Sequence, residues 1–140
     1  MNVAQIMTTN VELTDPGTSL SDAARRMRDE DVGALPVGED DRLVGMVTDR
    51  DIAVRGVAEG KEPGSCSVRE VMSGGVFYCF EDDDAERAAE VMAQHKVRRL
   101  PIVNQEKRLV GMLALADLAR AGVGDEALRS VSEPTADPRR

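Results

Sequence analysis

Arg42-Leu43-Val44-Gly45-Met46-Val47-Thr48-Asp49-Arg50-Asp51 decides the fold, because it returns as Arg108-Leu109-Val110-Gly111-Met112-Leu113-Ala114-Leu115-Ala116-Asp117. A continuously apolar run bounded by charged residues suits a strand at the centre of a sheet. Working outward, Leu35-Pro36 finds Leu100-Pro101, Val32 finds Val97, and Met27 finds Met92. Ala23-Ala24 finds Ala88-Ala89, and Val3-Ala4-Gln5-Ile6-Met7 finds Val68-Arg69-Glu70-Val71-Met72. Gly56 matches Gly122. The offset is 65 residues before residue 42 and 66 after it, so the second copy carries one inserted residue. Self-similarity at a fixed offset is the mark of one structural unit used twice.

Each copy reads as short helix, strand, helix, strand, strand, helix. In the first, Val11 to Thr14 alternates as a strand and Asp15-Pro16-Gly17 turns. Thr18 or Ser19 caps a helix from Leu20 to about Asp29, with Ala23, Ala24 and Met27 as its buried stripe. Ala34 to Val37 is a brief strand, Gly38-Glu39-Asp40-Asp41 a hairpin turn, Leu43 to Val47 the central strand, and Asp49 to about Val54 a closing helix. The second copy predicts a strand over Val76 to Phe80, a cap at Asp83 or Asp84, and a helix from Ala85 to Gln94. The expected fold class is mixed α/β (α+β), two pseudo-symmetric motifs, each a three-stranded sheet with flanking helices, packed sheet to sheet. The expected boundaries are 1–58 for the first motif, 59–66 for a polar linker, 67–124 for the second motif and 125–140 for a tail. In that tail, residues 125–131 are expected to add a short helix and residues 133–140 to be disordered.

Composition removes several classes of function. The net charge of -8 disfavours nucleic acid, whose binding depends on basic surfaces that displace counterions. Phe77, Tyr78 and Phe80 sit in one run and there is no Trp, which leaves no platform for stacking bases. No run reaches the length of a membrane span, and Met1 to Met7 lacks the pattern of an export signal, so a cytoplasmic protein with no membrane partner is expected. In that compartment Cys66, placed in a flexible Gly/Pro/Ser-rich linker, and Cys79 should be free thiols. His95, the one histidine, is expected at an exposed helix end, and no ligand cluster for a metal is visible.

The chemically richest stretch is Thr48-Asp49-Arg50-Asp51, a hydroxyl and a carboxylate three residues apart at a helix start. As a capping box, Thr48 accepts from a first-turn N–H and the Asp51 side chain reaches back to the N–H of Thr48. Read with the repeat, however, the Ile/Val-Met start, the apolar-Pro strand and the Gly-apolar-apolar-Thr-x-x-Asp ending resemble the CBS (cystathionine beta-synthase) motif in a tandem pair, over residues 1 to about 124.

That resemblance implies a cleft between the motifs for an adenosine derivative such as AMP, ADP, ATP or S-adenosylmethionine. Asp51 would accept from the two ribose hydroxyls and Thr48 would contact the ribose-phosphate region. Arg99, helped by Arg98 or Lys96, would reach the phosphate. A carboxylate suits a vicinal diol, and guanidinium forks suit phosphate. Without the resemblance, Arg98-Arg99 reads equally as a solvated corner. Apolar residues around Val11 to Thr14 and Val32 to Val37 would hold the adenine or serve as core. The second copy keeps Asp117 but has Ala114 where the hydroxyl should be, and Gly33-Ala34 stand where Arg98-Arg99 would supply phosphate contacts, so the symmetric site involving Asp117 is expected to be degraded.

The expected function is ligand sensing by a non-catalytic module with no obligatory cofactor, acting as a homodimer on a separate regulated protein. Ile52-Ala53-Val54 and Leu118-Ala119 are candidate dimer contacts or core. The alternative is a structural dimerisation module that has lost ligand binding. No nucleophile, base and metal set converges on a catalytic reading.

Overall fold

The computed structural model describes residues 1–123, so the helix and tail expected over 125–140 lie outside the described residues. Among the described residues the chain forms two compact units, one of Glu12–Val76, the other of Met1–Val11 together with residues 77–123.

In the first of these, helix α1 (Leu20–Glu30) starts where expected. Ser19 caps it by accepting from the Asp22 N–H at 3.1 Å, and Asp22 adds a favourable charge to the first turn. Leu20, Ala23 and Met27, spaced at i, i+3 and i+7, are its buried stripe, and Asp31 ends it in the left-handed region at φ 55. Strands β1 (Ala34–Glu39) and β2 (Arg42–Thr48) form an antiparallel hairpin. Its two-residue turn is Asp40-Asp41, with φ 52 and 64, the primed geometry that matches strand twist. The strand expected over Val11 to Thr14 shrinks to one parallel bridge between Thr14 and Val37, so this sheet has two strands. Beyond β2 the chain enters a helix that turns π-helical over Asp51–Val57, longer than expected. Its widened turn shows in the Ala58 N–H donating to the Ala53 carbonyl at 2.9 Å, five residues back.

The other unit repeats the plan with helix α2 (Ala85–His95), strands β3 (Cys79–Phe80), β4 (Arg99–Val103) and β5 (Leu109–Ala114), and helix α3 (Leu115–Arg120). β3 pairs parallel and β5 antiparallel with β4. Asp84 is the N-cap residue of α2, but its side chain makes no capping bond; Asp83 instead accepts from the Phe80 N–H at 2.9 Å and ties the turn that leads into the helix. The inserted residue falls in the second hairpin, where Asn104 Oδ1 accepts from the N–H groups of Glu106 and Arg108, both at 3.0 Å, and closes a longer turn. His95, at the end of α2, is partly buried rather than exposed and stacks on Phe77 with ring centroids 3.6 Å apart.

The units are cut differently from the sequence repeats. Val3–Gln5 and Val68–Glu70 are 3₁₀ turns that open the two copies. Residues 3–8 pack on the second hairpin, where Thr8 and Met112 exchange N–H···O bonds of 2.8 and 2.9 Å. Residues 68–73 pack on the first, where Met46 and Ser73 exchange bonds of 3.0 and 2.9 Å. Gly45 and Gly111 permit this approach, since a Cβ would stand 2.7 Å from the Ser73 carbonyl oxygen in one case and 2.8 Å from that of Thr8 in the other. Ser67 donates its N–H to Glu70 at 2.8 Å, which holds the Glu70 carboxyl below its ordinary value. That contribution to stability is present above the ordinary carboxylate range and is lost as pH falls through the lowered value.

Each unit has its own core. Leu20, Leu35, Val37, Val47, Val68 and Val71 fill one; Leu100, Ile102, Leu113, Leu118, Met92 and Val3 fill the other. Cys66, placed by its neighbours in a flexible stretch, is instead 5% exposed within the first core, and its carbonyl accepts from the Leu20 N–H at 3.0 Å. Both cysteines are free. Burial raises both thiols, Cys79 to about 11, helped by the charge of Asp83. Titration of unfolded, unreduced protein should therefore count two thiols, while alkylation of the native protein at neutral pH should be slow, the thiolate being the reactive form. Fast native labelling of either cysteine would contradict this burial.

Candidate functional site

The hydroxyl and carboxylate singled out in the first copy meet at the end of β2. Thr48 closes the strand, and its Oγ1 accepts from the Asp51 N–H at 3.0 Å while Asp51 Oδ2 accepts from the Thr48 N–H at 2.9 Å. The capping box is therefore present, with both bonds made. It does not exhaust either side chain. The Thr48 hydroxyl still has its proton to donate, and Asp51 Oδ1 has Arg55 Nη1 at 3.8 Å as its charged neighbour. Asp51 is 3% exposed, so its carboxylate is held in one orientation by the strand end, the helix start and Arg55. Arg55, one helical turn beyond Asp51, is not among the sequence-predicted site residues, although its i,i+4 spacing is a signal that could have found it.

Asp49 borders the same corner: its N–H donates to the Gly33 carbonyl at 2.9 Å, and its carboxylate would lie 3.1 Å from a Cβ at Gly33. A side chain at position 33 would thus meet an acid. Thr14, also buried, is held by Arg26, which donates to Thr14 Oγ1 and to the Glu12 carbonyl oxygen, each at 2.6 Å. The third Arg26 contact is Glu30, also at 2.6 Å. Arg26 is a positioning residue for the segment 12–14, and nothing in the local sequence pattern connects it to a residue twelve positions away.

The equivalent corner of the other unit differs. Asp117 Oδ2 accepts from the Ala114 N–H at 2.8 Å, but Ala114 has no side-chain oxygen to return the bond, so half of the box is missing. The second Asp117 oxygen is occupied by Arg120. Arg98 gives its carbonyl to the Leu115 N–H at 2.8 Å, and Arg99 opens β4 opposite Ala114. Both side chains are exposed, and neither guanidinium has an ion pair or hydrogen bond among the described residues. The fold thus brings Thr48 together with Asp51 in one unit, and Arg98 and Arg99 together with Asp117 in the other. Ile52 and Leu118, read as dimer contacts or core, are core at 9% and 0% exposure, whereas Val54 and Val57 of the π-helix are exposed.

Among the described residues no three His, Cys, Asp or Glu side chains converge as metal ligands, and no helix is long and apolar enough to cross a membrane.

Comparison with known proteins agrees with the repeat. The model of the CBS domain family matches residues 3–56 and 68–124. The chain is 43% identical over 129 residues to the CBS domain-containing protein YhcV of Bacillus subtilis, covering 92% of this chain and 91% of that one. It is 40% identical over 116 residues to hypoxic response protein 1 of Mycobacterium tuberculosis, covering 82% and 80%. Among solved structures, Hypoxic Response Protein I with two coordinated zinc ions superposes with a TM-score of 0.79 at 38% identity, over 86% of this chain and 98% of that one. CBSX2 in complex with AMP superposes with a TM-score of 0.74 at 28% identity, over 86% and 95%.

Proposed function

This chain belongs to the CBS domain family, and from that premise we propose that it is a regulatory module that binds an adenine nucleotide, AMP, ADP or ATP, and catalyses nothing. The observation that carries the reading is the pair Arg98 and Arg99, exposed and without an ion pair among the described residues in a chain of net charge -8. Unpaired guanidinium groups suit the planar, charged oxygens of a phosphate. Thr48 and Asp51 supply the ribose end, with Asp51 Oδ1 and the Thr48 hydroxyl as the groups left over from the capping box. The AMP complex of CBSX2 supports the ligand class.

The test is calorimetric titration with AMP and with adenosine. Arg99→Ala is expected to weaken AMP about 10-fold or more while changing adenosine little, since a hydrogen bond to a charged group contributes about 1.5–3 kcal/mol. Equal losses for the two ligands would remove Arg99 from the phosphate. No thermal stabilisation by AMP, ADP, ATP or S-adenosylmethionine at 100 times a micromolar concentration, where a micromolar ligand adds about 2.7 kcal/mol, would favour the structural alternative.

We also propose that two copies pair. Ala53, Val54, Val57 and Ala58 form an exposed apolar stripe on the helix that follows the capping box, and an exposed stripe of this kind gains by being covered. Light scattering at tens of micromolar should give about twice the 15.1 kDa chain mass. A clean monomer would reject the pairing.

A further inference from the structure

The two copies share a contact that nucleotide binding does not use. The penultimate residue of each entry segment is a methionine seated on the glycine of the facing strand. At Gly111 a Cβ would stand 2.6 Å from Met7 Sδ and 3.0 Å from Met7 Cγ; at Gly45 it would stand 3.0 Å from Met72 Sδ. The sulfur thus occupies the space that a side chain would take, and the next residue, Thr8 or Ser73, makes the paired backbone bonds that fasten the segment to β5 or β2. Met7 and Met72 are partly buried, against 5% exposure for Met27 and 0% for Met92 inside their cores.

We infer that Met7 and Met72 are paired oxidation-sensitive fasteners, whose conversion to the sulfoxide by a peroxide releases the entry segments 3–8 and 68–73 from the hairpins they cover. In the reaction the thioether sulfur gives an electron pair to one peroxide oxygen. The S–O bond forms, the O–O bond breaks, and with hydrogen peroxide the second oxygen leaves as water. The sulfur is oxidised by two electrons and the peroxide is reduced. A flexible apolar side chain becomes polar and chiral, and its new oxygen cannot be accommodated on the side that rests against a glycine Cα. The paired bonds of Thr8 and Ser73 are then lost with the contact that oriented them. Met46 stands two residues before Thr48, so release of residues 68–73 also loosens the strand that ends in the capping box. Methionine sulfoxide reductases reverse the change. The inference is independent of any nucleotide.

The experiment treats the full chain with hydrogen peroxide and maps mass gain and amide hydrogen exchange by peptide, in the unsubstituted protein and in M7L, M72L and M7L/M72L. Met→Leu conserves volume and is tolerated in packed sites. Oxygen is expected on Met7 and Met72 before Met27 and Met92, with exchange over 3–8 and 68–73 accelerated about tenfold or more. M72L should protect 68–73 alone, M7L should protect 3–8 alone, and reductase treatment should restore the slow exchange. Three results would overturn the inference: the same acceleration in the double variant, sulfoxide at Met7 and Met72 with no acceleration, or oxidation of Met27 and Met92 first.

Discussion

Asp51→Ala is expected to weaken AMP binding about 10- to 100-fold, because it removes the one buried carboxylate proposed for the ribose hydroxyls, and hydrogen bonds to a charged acceptor contribute about 1.5–3 kcal/mol each. The same change breaks the bond from the Thr48 N–H to Asp51 Oδ2, and loss of a cap costs about 1 kcal/mol of stability. Asp117→Ala is the control. It breaks the corresponding bond from the Ala114 N–H and should cost similar stability, yet it should leave AMP affinity nearly unchanged, because Ala114 offers no hydroxyl and Arg120 already holds the second oxygen of Asp117. Calorimetry with thermal unfolding separates the two effects. Equal affinity losses from Asp51→Ala and Asp117→Ala, or two equivalent sites per chain, would falsify the asymmetric reading and leave the fold intact. Asp51→Asn adds a further comparison: its oxygen can still accept from Thr48, so stability should recover more than affinity does.

Leu100→Ala should produce the largest loss of stability, about 2–5 kcal/mol, through lost transfer energy and the cavity left behind. Leu100 is fully buried on β4, opposite Leu113, and packs with Met92 and Leu118 of the same core. Leu35, 1% exposed on β1 opposite Val47, has the same place in the other core, and Leu35→Ala should cost a similar amount. Against a total stability of about 5–15 kcal/mol for a domain, either change is large. Urea unfolding measures both. A loss below about 1 kcal/mol for either leucine would mean that its core collapses around the gap, which close packing within each core does not permit.

The element types were legible because they rest on local physics. Apolar spacing placed α1 and α2, and Thr18 or Ser19 and Asp83 or Asp84 marked their starts; the turn expected over Gly38 to Asp41 is confined to Asp40-Asp41, because Gly38 and Glu39 still pair with β2. Recurrence of Gly-apolar-apolar with Asp51 and Asp117 established that two copies share one plan. The asymmetry between the copies was also readable, since the Ala114 side chain cannot accept a hydrogen bond in any fold. The strands before the helices were overestimated: alternation over Val11 to Thr14 describes a chain that can extend, but one bridge forms there, because Arg26 rather than a strand partner takes the Glu12 carbonyl and the Thr14 hydroxyl.

Only the tertiary structure decided where the entry segments go. The repeat assigns residues 3–8 to the first copy, yet they complete the unit built from the second, and residues 68–73 complete the unit built from the first. A repeat reports common pattern, whereas packing is settled by which hairpin offers unpaired backbone groups and a glycine close enough to receive Met7 or Met72. For the same reason Cys66 is core: the polar residues around it describe an exposed stretch, but the Leu20 N–H takes its carbonyl and draws the thiol inside. The partners of the Asp51 carboxylate, the Thr48 N–H and Arg55, are local in sequence, but its burial to 3% exposure comes only from folding. Sequence by itself determined the two-copy plan and the Thr-x-x-Asp capping box; the fold decided which atoms of Thr48 and Asp51 are left over from that box, because a buried hydrogen bond, once made, removes that lone pair or proton from use.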